Sequence, residues 1–325
     1  MGCVRCRPDA ASCKADGFTP LHYSFIHEAS DAVVLALLEA PGAKLVRDDS
    51  GKTILHYATE FQSSVRVVRT VLHLWPNSIE IANKDGQTAL HLALMHAAPL
   101  EVVQVLLDAC PNEAAIMYED TKGNTPLHTA LAEKAQVVCV QELLKRCPKA
   151  AQCADAYGKT PLYFALEQQA STGAIDALLM AYPDAARKQS VTSGWTPLHI
   201  AMKQGASKAT VVLLLDAYPD AARLPAAMGG FLPLHLAMQY HAPADATLAL
   251  YKAWPVAVNA ESQTGETPLD LDLVALWTAL LGHGDSAVVS DKLAKLGAEN
   301  KELLKELSKM KKLNGELRLR NNGLF

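Results

Sequence analysis

Apolar and polar positions along this chain follow a block of about 35 residues that recurs from one end of the chain almost to the other. Each block opens with a polar turn that contains glycine, and a short run follows in which leucine and alanine face the same side. After a polar break comes a longer apolar run, such as EVVQVLLDAC at 101–110 or KATVVLLLDAY at 208–218. The pattern predicts two helices in each block.

Two independent markers share this period. The first is a hexapeptide with the copies GFTPLH, GKTILH, GQTALH, GNTPLH, GKTPLY, GWTPLH, GFLPLH and GETPLD, in which the third residue is Thr19, Thr53, Thr88, Thr125, Thr160, Thr196, Leu232 and Thr267. The second marker is the proline that ends each long apolar run, at Pro41, Pro76, Pro111, Pro148, Pro183, Pro219 and Pro255. Both series share their successive intervals from the second unit onward, including one step of 37 residues. This agreement identifies a solenoid of eight units, which we number by their hexapeptides.

Each residue of the hexapeptide has a physical role. Glycine permits a tight turn with positive φ. Threonine caps the first helix, and proline suits the first helical position, where no backbone N–H is needed. The later proline forbids continuation of the second helix. A linker of roughly ten residues, such as DAARKQSVTSG (184–194), is predicted to lead to the next turn.

These features resemble ankyrin repeats, which consist of a β-turn followed by two antiparallel helices. The resemblance covers about residues 16–283 and implies an all-α solenoid. Residues 1–15 are then expected to be a flexible tail, and residues 284–325 a linker with a C-terminal coiled-coil helix. The chain departs from the usual pattern in its longer period and in an aromatic-Pro-Asp-Ala-Ala turn (YPDAA). The finger between units is therefore expected to be longer or less strand-like.

Histidine recurs at one position of the unit, as His22, His56, His91, His128, His199 and His235. A catalytic base is singular, so six equivalent copies indicate a packing role, and the resemblance implies hydrogen bonds around the turn and to the neighbouring finger. Tyr163 and Asp270 replace this histidine in two units, which argues further against catalysis.

Seven cysteines without a secretory signal indicate free thiols in a reducing compartment, and we expect a cytoplasmic protein, with a nuclear or membrane-associated location as the alternatives. Cys110 and Cys147 occupy a slot that is aromatic in other units, and Cys139 lies in an apolar second helix, so all three are expected in the core. The longest apolar run, LVALWTALL (273–281), is too short to span a membrane.

The N-terminal sequence MGCVRCRPDAASC leaves two interpretations open beside a plain disordered tail. Gly2 begins a partial myristoylation motif, with Cys3 and Cys6 as candidates for palmitoylation, although Cys6 stands where the motif requires serine or threonine. A zinc site would need Cys13 and His22 beside the two other cysteines, and His22 already has a role in the repeat. No metal or other cofactor is predicted.

The C-terminal 35 residues follow a seven-residue pattern. Leucine or methionine recurs at the d positions and asparagine at several a positions, which is typical of a parallel two-stranded coiled coil. The residues predicted to mediate dimerisation are Leu296, Asn300, Leu303, Leu307, Met310 and Leu317. A single amphipathic helix folded over the last unit is the alternative. This segment carries nine Lys and Arg residues against five Asp and Glu residues.

The sequence contains no phosphate-binding loop, nucleophile elbow or metal-ligand cluster, and a net charge of −4 gives no reason to expect nucleic acid. We therefore expect a non-enzymatic scaffold that binds a protein partner along its repeats. A lipid-anchored scaffold is the alternative, and a regulatory subunit of an enzyme is less favoured.

In the family, the partner contacts the turn residue before the threonine and the end of the first helix. Carried over, the predicted partner-binding residues are Phe18, Lys52, Gln87, Asn124, Lys159, Trp195, Phe231, Gln204 and Tyr240. Rings concentrate in units six and seven, as Trp195, Phe231 and Tyr240, and suggest a binding hot spot. Packing of these rings on the neighbouring finger is the alternative.

Overall fold

A computed structural model describes residues 18–40, 45–190 and 193–271 of the chain. Every unit that it describes in full begins with a helix of seven residues. These first helices are α1 (Pro20–Ile26), α3 (Ile54–Glu60), α5 (Ala89–Met95), α8 (Pro126–Ala132), α10 (Pro161–Glu167), α12 (Pro197–Lys203) and α14 (Pro233–Gln239), and α16 (Pro268–Leu271) opens unit eight. The second helices are α2 (Asp31–Leu38), α4 (Val65–Leu74), α6 (Leu100–Ala109), α9 (Val137–Arg146), α11 (Thr172–Ala181), α13 (Lys208–Ala217) and α15 (Ala244–Ala253).

The first helices begin where the sequence predicts. Thr196, for example, has extended backbone angles and forms a capping box with the third helical residue, while proline takes the first helical position. The leucine and alanine predicted to face inward are buried, with Leu198 and Ala201 at most 1% exposed. The capping residues and the buried face therefore both define the same helix.

The helices form two layers. First helices pack against the first helices of neighbouring units, as α5 does against α3 and α8, and second helices pack likewise, as α6 does against α4 and α9. The core lies between the layers and runs through all units described. The predicted all-α solenoid is confirmed.

From unit two onward, the stretch after the proline that ends the second helix differs from the predicted linker. In most units the proline is the first residue of a five-residue 3-10 helix: Pro76–Glu80, Pro148–Gln152, Pro183–Arg187, Pro219–Arg223 and Pro255–Asn259. Unit three has α7 (Glu113–Ile116) instead. Small residues of these turns are buried, as Ala185, Ala186, Ala221 and Ala222 are at 1–2% exposure. The YPDAA sequence thus forms a third packing element, because proline stops one helix and starts the next.

The cysteines of the repeats are placed as expected, with one qualification. Cys139 and Cys147 are buried, whereas Cys110 is only partly buried against the core. Across the described ranges, we find no helix long and apolar enough to cross a membrane.

Candidate functional site

The turns that carry the predicted binding residues are built around one polar side chain. The Oδ1 atom of Asp48 accepts hydrogen bonds from the backbone N–H groups of Ser50 and Lys52, at 2.9 and 2.7 Å. Asn83, Asp120 and Asp155 do the same in the next three units, and the Ser262 hydroxyl does so in unit eight. These side chains hold the last turn residue in place at the start of the first helix.

Units six and seven have a different turn. Ser190 and Ala226 replace the Asp or Asn, and the turn contains one additional residue before Trp195 and Phe231, respectively. The backbone still closes, because the N–H groups of Ser190 and Ala226 donate to the carbonyl oxygens of Trp195 and Phe231, both at 2.8 Å. The two aromatic turn residues are therefore presented by turns unlike those of units two to five.

Neighbouring turn tips are packed backbone to backbone. The N–H of Ala156 donates to the carbonyl oxygen of Lys122 at 3.1 Å. Gly123 between them has φ +74°, and a Cβ atom there would lie 2.6 Å from the Ala156 nitrogen. Glycine is required at this position both for its backbone angles and for the close approach.

The repeated histidine joins each turn to its helix and to the next unit. The Thr53 N–H donates to Nδ1 of His56 at 3.0 Å, and Nε2 of His56 donates to the carbonyl oxygen of Gln87 at 3.0 Å. The equivalent bonds reach Asn124 from His91, Lys159 from His128, Phe231 from His199 and Glu266 from His235. The packing role expected of these histidines is confirmed. In unit seven Leu232 offers only its backbone N–H, at 3.1 Å from His235 Nδ1.

Burial keeps these imidazoles neutral. Desolvation lowers the pKa of His56 and of His199 to about 4 each, and it lowers the pKa of His91, His128 and His235 as well. Both ring nitrogens are occupied by hydrogen bonds, one within the unit and one to the next unit. These histidines therefore have neither a free lone pair nor a proton for a substrate.

The last turn residue faces the last residue of the first helix, and this pairing recurs. Lys52 Nζ lies 2.8 Å from a carboxylate oxygen of Glu60, and Lys159 Nζ lies 2.5 Å from one of Glu167. Two of the predicted binding residues are thus neutralised within their own units.

Unit six replaces the ion pair with a cation and rings. Lys203 occupies the position of Glu60 and Glu167, and its Nζ lies 5.0 Å from the centre of a Trp195 ring. The same Nζ lies 6.0 Å from the centre of the Tyr240 ring, which belongs to unit seven. The structure therefore joins Trp195 and Tyr240 through a lysine that sequence reasoning missed. Aligning Lys203 with the two glutamates by register would have drawn attention to it.

The remaining ring residues pack more closely on their own unit. The Phe231 ring lies 5.8 Å from the His235 ring in an edge arrangement, and the Phe18 ring lies 6.0 Å from that of His22. Phe18, Trp195 and Phe231 are all partly buried against the core, whereas Tyr240 is 43% exposed. The rings of units six and seven thus combine packing with exposed surface.

The polar candidates are tied to neighbouring groups. The Gln87 side chain accepts from Asn83 Nδ2, and Asn124 Nδ2 donates to Asp120, both at 3.2 Å. The carbonyl oxygen of Gln204 accepts from Gln169 Nε2 at 3.3 Å, which links units five and six.

The predicted lipidation residues Gly2, Cys3 and Cys6 lie outside the described residues. So do the predicted dimerisation residues Leu296, Asn300, Leu303, Leu307, Met310 and Leu317.

Comparison with known proteins identifies the repeats. The family model described as ankyrin repeats (3 copies) matches residues 46–120, 68–152 and 94–189, and the model of the single ankyrin repeat matches residues 193–223. Together the matches cover more than half of the chain. No curated protein sequence matches it. Among solved structures, the ankyrin repeat domain of Bcl-3, described as a member of the IκB family, is similar with a TM-score of 0.56 and 24% identity. That match covers 69% of this chain and 95% of the Bcl-3 domain, and it shows a common fold.

Proposed function

The chain belongs to the ankyrin repeat family, and from that premise we propose that it is a non-enzymatic scaffold that binds a partner protein on its inner face. By inner face we mean the surface formed by the first helices and the last turn residues. Ankyrin repeats generally mediate protein–protein interactions, and stacked units present a long continuous surface for them.

The cluster of Trp195, Lys203 and Tyr240 carries this proposal. It joins two adjacent units, combines aromatic and cationic groups, and includes a ring that is 43% exposed. Trp and Tyr are among the residues enriched in binding hot spots. Elsewhere on the inner face, Lys52 and Lys159 are already paired with glutamates, so the cluster is the strongest candidate within the described ranges.

Affinity capture from native lysate tests the proposal, with the full chain as bait and quantitative mass spectrometry as readout. We expect Trp195→Ala/Tyr240→Ala to lose partners that the wild type retains, because truncating a hot-spot ring costs about 2 kcal/mol or more of binding free energy. Tyr118→Ala removes a ring of similar exposure (42%) that precedes the turn of unit four, and it should leave the partners unchanged. Circular dichroism and thermal melting verify that each bait is folded. An identical partner list for all three baits would contradict binding at this cluster.

Attachment to a membrane through a lipid is a second proposal, which depends on the N-terminal sequence alone. Gly2, Cys3 and Cys6 are the acceptors it requires. Intact-mass measurement of native protein would reveal the acyl groups, and an unmodified N-terminus would remove the proposal.

A further inference from the structure

We propose that the partner segment bound on the inner face places a carboxylate side chain against Lys203, between the rings of Trp195 and Tyr240. The inference rests on the proposed scaffold function and adds the chemistry that the partner must have at this point. It follows from the charges, the rings and the two competing occupants of this surface.

The charge at Lys203 is not cancelled within the described residues. In units two and five the lysine of the inner face has a glutamate partner at 2.8 and 2.5 Å. In unit six the order is reversed: the lysine stands at the helix end, and a tryptophan stands where its acidic partner would be. Among the described ion pairs, none involves Lys203, and the preceding unit's Glu167 is occupied by Lys159.

The two rings position the Lys203 side chain where it can bind an anion. Contact with Trp195 at 5.0 Å and with Tyr240 at 6.0 Å restrains the side chain, since a cation is attracted to the face of each ring. Lys203 is itself exposed, so a partner can reach its ammonium group, and a carboxylate that covers it together with the rings would form a charge-assisted hydrogen bond shielded from water. Tyr240, which is 43% exposed, offers apolar surface to the residue next to that carboxylate.

The same charge disfavours the two occupants that this chain could supply. Residues 291–325 carry an excess of Lys and Arg over Asp and Glu and would bring like charge to Lys203. A second copy docking around a two-fold axis that passes through this cluster would bring lysine near lysine. Charge complementarity at Lys203 therefore favours a carboxylate side chain from another protein over both of these occupants.

Matched peptides measure this preference directly. We would screen full-length protein against a library of 12-residue peptides whose flanking sequences are varied, each flank made with Glu, Gln or Lys at the centre. Dissociation constants of the binders come from fluorescence polarisation. For peptides that lose affinity with Trp195→Ala/Tyr240→Ala, we expect the Glu form to bind at least tenfold more tightly than the Gln form and the Lys form to bind most weakly.

Charge reversal supplies the decisive control. Lys203→Glu should abolish the preference for Glu and shift it toward the Lys form, while Lys203→Arg retains it. Lys252→Glu makes the same change of net charge on the exposed side of the second helix α15 and should change no dissociation constant by more than twofold. The Glu preference should also weaken as salt is added.

The possible results separate this inference from the proposed function. Equal binding of the Glu and Gln forms to a surface that still requires Trp195 and Tyr240 would overturn the carboxylate preference and leave the scaffold function standing. A library in which no peptide depends on Lys203 also overturns the inference, whatever the capture experiment finds. Capture that is insensitive to both rings would instead count against the binding surface itself.

Discussion

At the residue scale, the repeated histidine makes two hydrogen bonds, one within its own unit and one to the next unit. His56 accepts from Thr53 in its own turn and donates to the Gln87 carbonyl oxygen of the next unit. This arrangement needs the neutral imidazole with its proton on Nε2, because Nδ1 must accept from the Thr53 N–H. A second proton on Nδ1 would replace that hydrogen bond with two opposed donors.

Stability should therefore fall in mild acid. The folded-state pKa of His56 and of His199 is about 4, below the ordinary value of 6.5, and the pKa of three further histidines is lowered too. Between these values the unfolded chain binds more protons than the folded one, so the histidine contribution is complete above about pH 6.5 and is lost progressively toward pH 4. Each histidine contributes a slope of up to about 1.4 kcal/mol per pH unit.

Urea unfolding between pH 7.5 and 5.0 measures this dependence. His199→Tyr, which copies the residue of unit five, removes one titrating group and should make the dependence shallower. An unfolding midpoint that is unchanged from pH 7 to pH 5 would contradict the assignment of neutral, bonded histidines.

At the element scale, seven of the described first helices are followed, two residues after their last residue, by a residue with left-handed backbone angles. Glu28, Gln62, Ala97, Lys134, Gln169 and His241 have φ between +50° and +55°, and Gly205 has φ +65°. The next N–H bonds back to the helix, as that of Ala98 does to the Ala93 carbonyl oxygen at 2.8 Å. This geometry is a helix C-cap that ordinarily favours glycine, yet only unit six among those described uses glycine.

Glycine should accordingly be stabilising at this position, although it usually destabilises the interior of a helix. Ala97→Gly relieves a left-handed backbone, which costs about 1–2 kcal/mol for a residue with a Cβ, and should raise the free energy of unfolding by about 0.5–1 kcal/mol. Gly205→Ala should lower it by a similar amount.

Ala132→Gly is the matched control, since Ala132 is the last residue of helix α8 and has no left-handed backbone. There the same exchange should destabilise, by roughly 0.5–1 kcal/mol. Chemical denaturation of the three variants decides the matter, and a loss of stability in Ala97→Gly would refute the argument.

At the scale of the whole molecule, each unit contacts only its neighbours. The stability of the array therefore depends on the interfaces between adjacent units. The histidine bond joins unit two to three, three to four, four to five, six to seven and seven to eight. Unit five has Tyr163 in this place, with its ring under Lys159. A cleft of about 250 Å³ lies beside it, lined by Tyr163, Tyr157 and Lys188 among others.

The interface between units five and six should therefore open more readily than the interfaces among units two to five. Native-state hydrogen exchange should show faster exchange of the buried amides near residues 160–166 and 196–202 than of their equivalents in units three and four. Tyr163→His restores a donor toward the Trp195 carbonyl oxygen and should slow exchange there by about fivefold, corresponding to a net hydrogen bond of about 1 kcal/mol. Uniform protection along the array, or no response to Tyr163→His, would show that this bond does not limit opening.

Much of this architecture is determined by residues that are close together in the sequence. The period, the Thr cap, the proline at the first helical position and the buried leucine and alanine of each unit depend on residues close together in the chain, and all could be predicted. The 3-10 helices that follow the prolines at the ends of the second helices could not be predicted. Proline signals both the end of one helix and the start of another. Only the burial of Ala185 and Ala186 against the core separates a helical turn from a linker.

The candidate site shows the same division between local and tertiary information. Sequence alone determined that this is a repeat protein and that rings gather in units six and seven, whereas the assignment of turn residues to the inner surface was carried over from the family resemblance. It did not reveal Lys203, nor that Trp195 and Tyr240, 45 positions apart, meet at one ammonium group. The contacts of Lys203 with both rings depend on the distance between adjacent units and on the conformation of each side chain. Those are properties of packing between units, and no spacing within one unit contains them.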